Sequence, residues 1–187
     1  MNKAFTKESD FDPALEVSFQ PRRVLPAGVK NYITPEGARR VRRELATLLD
    51  VERPRLVAEL SRRVEAGRQE EVEHRADQHR LRVLDAEISW LGERVAGLEV
   101  IDPAQQQGDR VRFGASVTVV DTEGEERTYT IVGVDEADAS GGRISWISPL
   151  AKALLSAREG DEVVACLPRD DAVFEIVSID YPGTAET

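Results

Sequence analysis

Apolar residues begin to recur at three- and four-residue steps after Thr34, and the pattern persists as far as Leu98. Thr34 followed by Pro35 marks a helix start: the hydroxyl caps free N–H groups, and proline at the first helical position has no N–H to leave unpaired. Val41, Leu45, Leu48 or Leu49, Leu56, Leu60 and Val64 then carry the period towards Gly67. Pro54 interrupts that run and predicts a kink. A second run, Leu81, Leu84, Ile88, Leu91, Val95 and Leu98, steps 3-4-3-4-3 between charged flanks, a heptad seam. Gly67 is the only strong breaker between the runs, so they predict an antiparallel coiled-coil hairpin. Arms of about thirty residues at ~1.5 Å each would reach roughly 45 Å, a rod extending from a smaller body.

Beyond residue 100 the period falls to two. Val111 and Phe113, then Val117 and Val119, alternate, and Asp121-Thr122-Glu123-Gly124 is a turn before Thr128–Val132. Arg143–Ile147 is a further strand entered from Gly141-Gly142, and Glu162–Leu167 and Ala172–Val177 complete an antiparallel sheet. Ser148-Pro149 opens a short helix running to about Ser156, with Ser148 as its N-cap. The class is therefore α+β, with one helix to cover a sheet face. Three segments are expected: an arm over 1–30, the hairpin over 31–100 with its tip near 65–74, and a globular domain over 101–187. The arm holds Pro13, Pro21 and Pro26 with no sustained periodicity, which reads as flexible chain.

The seam changes character towards the turn. Extended backwards it meets Asp77, His74 and Glu70, and an apolar stripe continues only weakly through Val72 and Ala76. Glu65, Glu70, Glu71, Glu73 and Asp77 are interleaved there with Arg62, Arg63, Arg68, Arg75 and Arg80. Two readings stay open: a solvated coiled-coil end laced by i,i+4 pairs such as Glu71/Arg75, or a polar tip with a purpose of its own.

Charge sharpens this division. The 187 residues carry a net −10, yet residues 1–33 and 34–99 are nearly balanced at +1 and −1. Residues 100–187 hold seven basic side chains against seventeen acidic ones and carry the whole deficit. An acidic total argues against autonomous binding to phosphate backbones. One cysteine makes neither an internal disulfide nor a zinc cluster, and Cys166, among apolar strand neighbours, is expected in the core. The start lacks an apolar h-region and no run approaches the ~18 apolar residues of a membrane span, so a cytoplasmic protein without a membrane partner is expected. Enzyme signatures are missing: there is no Gly-rich phosphate loop, no GxSxG and no HExxH. His74 and His79 are five apart and do not share a helix face as a metal pair would. An interaction protein that reaches its target with a rod is the reading from the residues alone.

Several segments then resemble one known family in order, from about residue 30 to residue 181. Tyr32-Ile33-Thr34-Pro35-Glu36-Gly37, Glu52-Arg53-Pro54, Arg80-Leu81-Arg82 and Val100-Ile101-Asp102 are similar to the bacterial Gre transcript-cleavage factors, the GreB branch in particular. So are Val111-Arg112-Phe113-Gly114-Ala115, Ile131-Val132-Gly133-Val134-Asp135-Glu136 and Ile147-Ser148-Pro149-Leu150-Ala151. The resemblance implies a coiled-coil hairpin joined to an FKBP-like globular domain. It also implies bacterial RNA polymerase as partner, with the globular domain docked at the secondary channel and the hairpin threaded down it. Tip carboxylates of that family help hold a second Mg²⁺ for the polymerase's own RNA cleavage, a two-metal hydrolysis. The protein would then be a monomeric cofactor protein rather than an enzyme, with no cofactor bound alone. It would meet nucleic acid only within the transcription complex.

The tip departs from the family pattern Gly-Asp-x-x-Glu-Asn. Here the stretch is Gly67-Arg68-Gln69-Glu70-Glu71-Val72-Glu73-His74, one residue shorter, and the aspartate is what goes. Glu70 takes the glutamate position, Glu71 stands where the asparagine would be, and Arg68 adds positive charge disfavouring a cation. Neighbouring helix positions point about 100° apart, so Glu71 is a poor replacement ligand. Glu70 and Glu71 are the candidate catalytic pair, and Glu70, Glu73 and Asp77 the candidate Mg²⁺ ligands within the polymerase complex. Ile147, Ser148 and Pro149 are the candidate docking residues, with Ile147 where the family usually has a polar side chain. Three functions remain: a secondary-channel regulator with weak or no cleavage stimulation, a working cleavage factor using Glu70 and its neighbours, or an FKBP-shaped module with another partner.

Overall fold

The computed structural model describes residues 25–65, 67, 71–106, 108–167 and 170–182. Expectations for the arm over 1–24, for Glu70 and for the side chain of Glu71 fall outside what is described. The described chain divides into two units, one formed by residues 46–90 and the other by the stretch ending at Leu45 together with Leu91 onward.

In the second unit, strand β1 (Asn31–Ile33) leads into helix α1 (Pro35–Thr47). The start is where the Thr-Pro pair predicts it: the Thr34 hydroxyl accepts the Gly37 N–H at 3.1 Å. In the first unit, a π-helical turn over Leu48–Glu52 precedes helix α2 (Arg53–Glu65). The Arg53 N–H bonds back five residues to the Leu48 carbonyl. This is the expected Pro54 disturbance in a specific form. Proline has no N–H for the carbonyl four residues back and its ring crowds that carbonyl, and the wider turn makes room. The extra residue also keeps phase, because Leu48 and Leu56 are both buried although eight apart, one more than a heptad.

Helix α3 (Glu71–Ala96) returns antiparallel to α2, as two ion pairs show. Arg53 Nε lies 2.7 Å from Asp85, and ten residues further along α2 the Arg63 guanidinium meets Asp77, eight residues back along α3. The carboxylate of Asp85 holds the Arg53 guanidinium above its ordinary value through the hydrogen bond and charge. Leu81, Leu84 and Ile88 are half-buried. The seam ends sooner than its period suggests, since Leu98 belongs to strand β2 (Leu98–Val100), paired in parallel with β1. Gly67 has φ +61° and donates to the Val64 carbonyl, as a helix breaker should.

The remaining strands are β3 (Ser116–Asp121), β4 (Glu126–Val132), β5 (Arg143–Ser145), β6 (Glu162–Cys166) and β7 (Asp171–Asp180). They form one sheet in the order β5-β4-β3-β7-β6. The β3–β4 turn is the one expected: Asp121 accepts the Glu123 and Glu125 N–H groups at 3.0 Å each, and Gly124 takes φ +84°. The sheet is not wholly antiparallel, because β5 runs parallel to β4. Two short 3-10 turns, Val134–Glu136 and Ala139–Gly141, carry the chain back before β5 begins. A register shift between Thr118 and Val119 opposite β7 leaves Val177 without a partner and exposed, a bulge that curls the sheet.

Helix α4 (Pro149–Leu154) covers one face as expected, burying Leu150, Ala151 and Leu154 against Val117, Val119, Ile131, Phe174 and Ile176. Ser148 caps it, accepting the Ala151 N–H at 3.2 Å. Three strand assignments need correction. Val111 and Phe113 are buried but lie outside the sheet, with Val111 exchanging backbone bonds with Ala157 and Ser156. Strand β5 stops at Ser145, so Trp146 and Ile147 follow it. Cys166 is exposed, because Ala165 occupies the inward phase of β6. The Asp171 carboxylate beside it raises the thiol above its ordinary value.

Tyr181 closes the core with its hydroxyl, accepting the Arg112 N–H at 3.0 Å and donating to the Arg110 carbonyl at 2.8 Å. Burial pushes its phenol up. A neutral phenol favoured by folding contributes stability that is complete below the unfolded value near 10 and is lost as pH rises through the folded one. Tyr181→Phe should cost about 1–3 kcal/mol at neutral pH, since two backbone groups lose their partner. Chemical unfolding should also show the loss of stability above about pH 10 becoming shallower in the variant.

Candidate functional site

The acids near the hairpin turn do not share one environment. Asp77 is 4% exposed. Both its carboxylate oxygens accept from Arg63 Nη1 at 3.1 Å, and Arg63 Nη2 also reaches Glu59 at 2.6 Å. The polar residue at a seam position is therefore accommodated by a cation from the facing helix, which balances a charge that burial would otherwise make expensive. Glu73, by contrast, is exposed, and Glu71 is the first residue of α3. His74 is exposed and its ring contacts Gln78 across one helical turn at 2.7 Å. Ala76, the position through which an apolar stripe could continue, is exposed. Glu59–Arg63 on α2 is an i,i+4 ion pair of this region, while the expected Glu71/Arg75 pair involves a side chain outside the described residues.

Nearer the middle of the hairpin unit, α2 and α3 leave an open groove of about 680 Å³ floored by Leu56, Val83 and Leu84. His79 lines it with Nε2 buried and unpartnered among the described residues. Arg55 and Arg80 stand with Glu52, Glu59 and Glu87 around it. Among the described residues no three His, Cys, Asp or Glu side chains gather as a metal site. Of the three candidate Mg²⁺ ligands, Asp77 is paired with Arg63, Glu73 is exposed and Glu70 lies outside the described residues.

In the other unit, the candidate docking residues follow β5. Ile147 and Ser148 are half-buried and Pro149 is exposed. The Ser148 hydroxyl serves the helix cap, while its N–H donates to the Ser145 carbonyl at 2.8 Å. Beside them Trp146 packs on Tyr32 with ring centroids 4.9 Å apart, and Tyr32 also meets Phe113 at 6.0 Å. The loop is thus held by backbone and cap bonds beside the Trp146–Tyr32 contact, with Pro149 its exposed residue.

Two acids, one buried and one half-buried, carry no role in the sequence reading. Asp135 and Glu136 lie in the 3-10 turn after β4, where Glu136 is 5% exposed and Asp135 faces Arg94. A signal did exist, in two consecutive carboxylates directly after the apolar run Ile131–Val134, but their partners stand far off in the chain.

With this geometry in view, known proteins give a consistent picture. Residues 31–110 match the model of the transcription elongation factor N-terminal family, and residues 105–181 match that of the GreA/GreB C-terminal family. A transcription elongation factor GreB of Neisseria meningitidis serogroup B is 41% identical over 154 residues, covering 81% of this chain and 94% of the relative. A GreA of Hyphomonas neptunium is 38% identical, covering 80% and 96%. Among solved structures, the GreA factor homolog 1 (Gfh1) protein of Thermus thermophilus is 22% identical, covering 81% of this chain and 99% of its own, at a TM-score of 0.37. Among the described residues no helix is long and apolar enough to cross a membrane.

The Asp77–Arg63 pair makes a direct stability prediction. Arg63→Met should destabilise the protein by about 1–3 kcal/mol by stranding a buried carboxylate, less than a fully buried pair because Arg63 is partly exposed. The double variant Arg63→Met/Asp77→Leu should recover most of that loss in thermal unfolding.

Proposed function

Because the chain belongs to the GreA/GreB family of transcription elongation factors, we propose that it binds bacterial RNA polymerase, inserts its helical hairpin into the secondary channel and regulates elongation with weak or no stimulation of transcript cleavage. The observation that carries the second half is the state of the tip acids. The family aspartate is missing between Gly67 and Glu70, with Arg68 following Gly67. Asp77, the nearest acid down the seam, is neutralised by Arg63. Mg²⁺ is held by one or two carboxylates in a near-octahedral oxygen set, so losing one of the family's two tip acids weakens the site, and an arginine nearby opposes the ion's charge. Glu70 remains as a single acid at its family position, with Glu71 poorly directed for the same ion.

The protein would act as a monomer, with the acidic globular domain meeting the polymerase through Ile147, Ser148 and Pro149. An acidic docking body favours a basic partner surface chiefly through association rate and specificity. The charge-balanced hairpin avoids strong attraction or repulsion along a channel close to RNA. No catalytic step is assigned to the chain itself; cleavage chemistry belongs to the polymerase and its Mg²⁺.

Stalled, backtracked transcription complexes test this reading. The protein should co-elute with core polymerase, stimulate cleavage at least roughly tenfold less than an active Gre factor, and slow that factor in competition; tenfold corresponds to about 1.4 kcal/mol of lost transition-state stabilisation. Glu70→Ala should leave the residual cleavage within about twofold. Cleavage equal to the active factor, abolished by Glu70→Ala, would instead establish a working cleavage factor built on Glu70 and Glu71 or the exposed Glu73.

A further inference from the structure

The buried Glu136 and the half-buried Asp135 occupy one short turn, yet each holds a different end of the helical segment. Glu136 Oε2 accepts the Thr34 N–H at 2.9 Å and the Gly133 N–H at 3.1 Å, while Oε1 accepts the Thr34 hydroxyl proton. That same hydroxyl oxygen caps α1 by accepting the Gly37 N–H. A carboxylate therefore sits at the first turn of α1, where free N–H groups and the helix dipole favour negative charge. A side chain at Gly37 would collide with the Glu136 carboxyl, so the close approach itself demands glycine.

Asp135 holds the other root. Its oxygens lie 2.7 and 2.8 Å from Arg94 Nε near the end of α3, with side chains only 11% and 7% exposed. Its backbone carbonyl accepts from Arg40 of α1 at 2.9 Å, and its carboxylate is 3.5 Å from the Asn31 amide of β1. Three elements thus converge on two consecutive residues of the turn after β4: β1, the start of α1 and the end of α3. All lie within one compact unit. A purely packing role would be served by apolar side chains at lower desolvation cost; directional, charge-assisted bonds specify geometry as well as energy.

We propose that Asp135 and Glu136 are positioning residues for the activity on polymerase: together they set where, and in what direction, the first turns of α1 and the last turn of α3 stand on the globular domain. This rests on the polymerase reading above. It predicts a split in which loss of the grip spares polymerase association but weakens the effect exerted through the helices, because small misplacements cost function steeply.

The test uses the full chain and its single native thiol. Cys166 is exposed on β6, and Arg42, exposed on α1 within the same unit, provides a second position as Arg42→Cys. Nitroxide labels at the two sites should give one narrow distance by pulsed electron paramagnetic resonance. Glu136→Ala should broaden or shift it. Should that variant fail to fold, Thr34→Val removes the hydroxyl bonds to Glu136 and Gly37 while keeping the backbone bond, and Thr34→Ser restores both. The expected results are a distribution about twofold wider in Thr34→Val and unchanged in Thr34→Ser, association with core polymerase within about threefold of the unaltered chain, and an elongation effect weakened by roughly tenfold or more. An unchanged distance in Thr34→Val, or a full elongation effect despite a broadened distance, overturns the proposal. Association lost in step with the elongation effect also overturns it, since the grip would then serve binding alone. If the unaltered chain fails to associate with polymerase, the functional reading falls and this inference with it, an outcome recognised without any variant.

Discussion

Glu136, sequestered from water 102 residues along the chain from the threonine it bonds, is the constraint to which much of its unit answers. An isolated carboxylate there would be prohibitive, and three donors surround it instead. The demand propagates outward. Residue 34 needs a hydroxyl that both donates and accepts, residue 37 needs to lack a side chain, and the Gly133 N–H needs to face back into its own turn. Asp135, next in line, needs a cation within the same small space and finds Arg94. Sheet, turn and helix starts therefore stand in one arrangement because few others would satisfy both acids.

The hairpin unit solves a different problem with related means. Among its described residues between 46 and 90, the buried apolar side chains are few, Leu48 and Leu56, and Leu81, Leu84 and Ile88 are half-buried. Where the apolar seam gives out, Arg63 and Asp77 continue it as an ion pair, and Arg53 with Asp85 makes a second, more exposed tie. Exposed pairs contribute little energy individually, so the second tie speaks for register more than stability. The buried half of the Arg63–Asp77 pair is where removal of one partner would be felt. The π turn before Pro54 serves the same end, since one extra residue lets Leu48 and Leu56 both stay inward.

These two features bear on function through what they leave available. Of the acids that a reading of the hairpin end would nominate, Asp77 is withdrawn into the interface between helices and Glu73 stands exposed. The family relationship supplies the partner class, while the altered tip bears on what the protein does there. The proposed regulatory role rests on two features together: a family match over residues 31–181 and a tip stretch, Gly67-Arg68-Gln69-Glu70, without the family aspartate.

Much was legible beforehand. Thr34-Pro35 and Ser148-Pro149 determined two helix starts because capping is local, and Asp121 to Gly124 determined a turn for the same reason. The helical period announced the hairpin, and ordered motifs announced the family. Errors arose where local pattern and long-range pairing diverge. Val111 and Phe113 are apolar and buried yet outside the sheet, Cys166 lies one phase out from the inward side of β6, and β5 runs parallel to β4. Periodicity reports which faces turn inward, but not which distant group will meet a charge placed there. Only the tertiary structure decided that Asp77 belongs to Arg63 and Glu136 to Thr34, because a buried carboxylate takes its identity from donors that the chain brings from elsewhere.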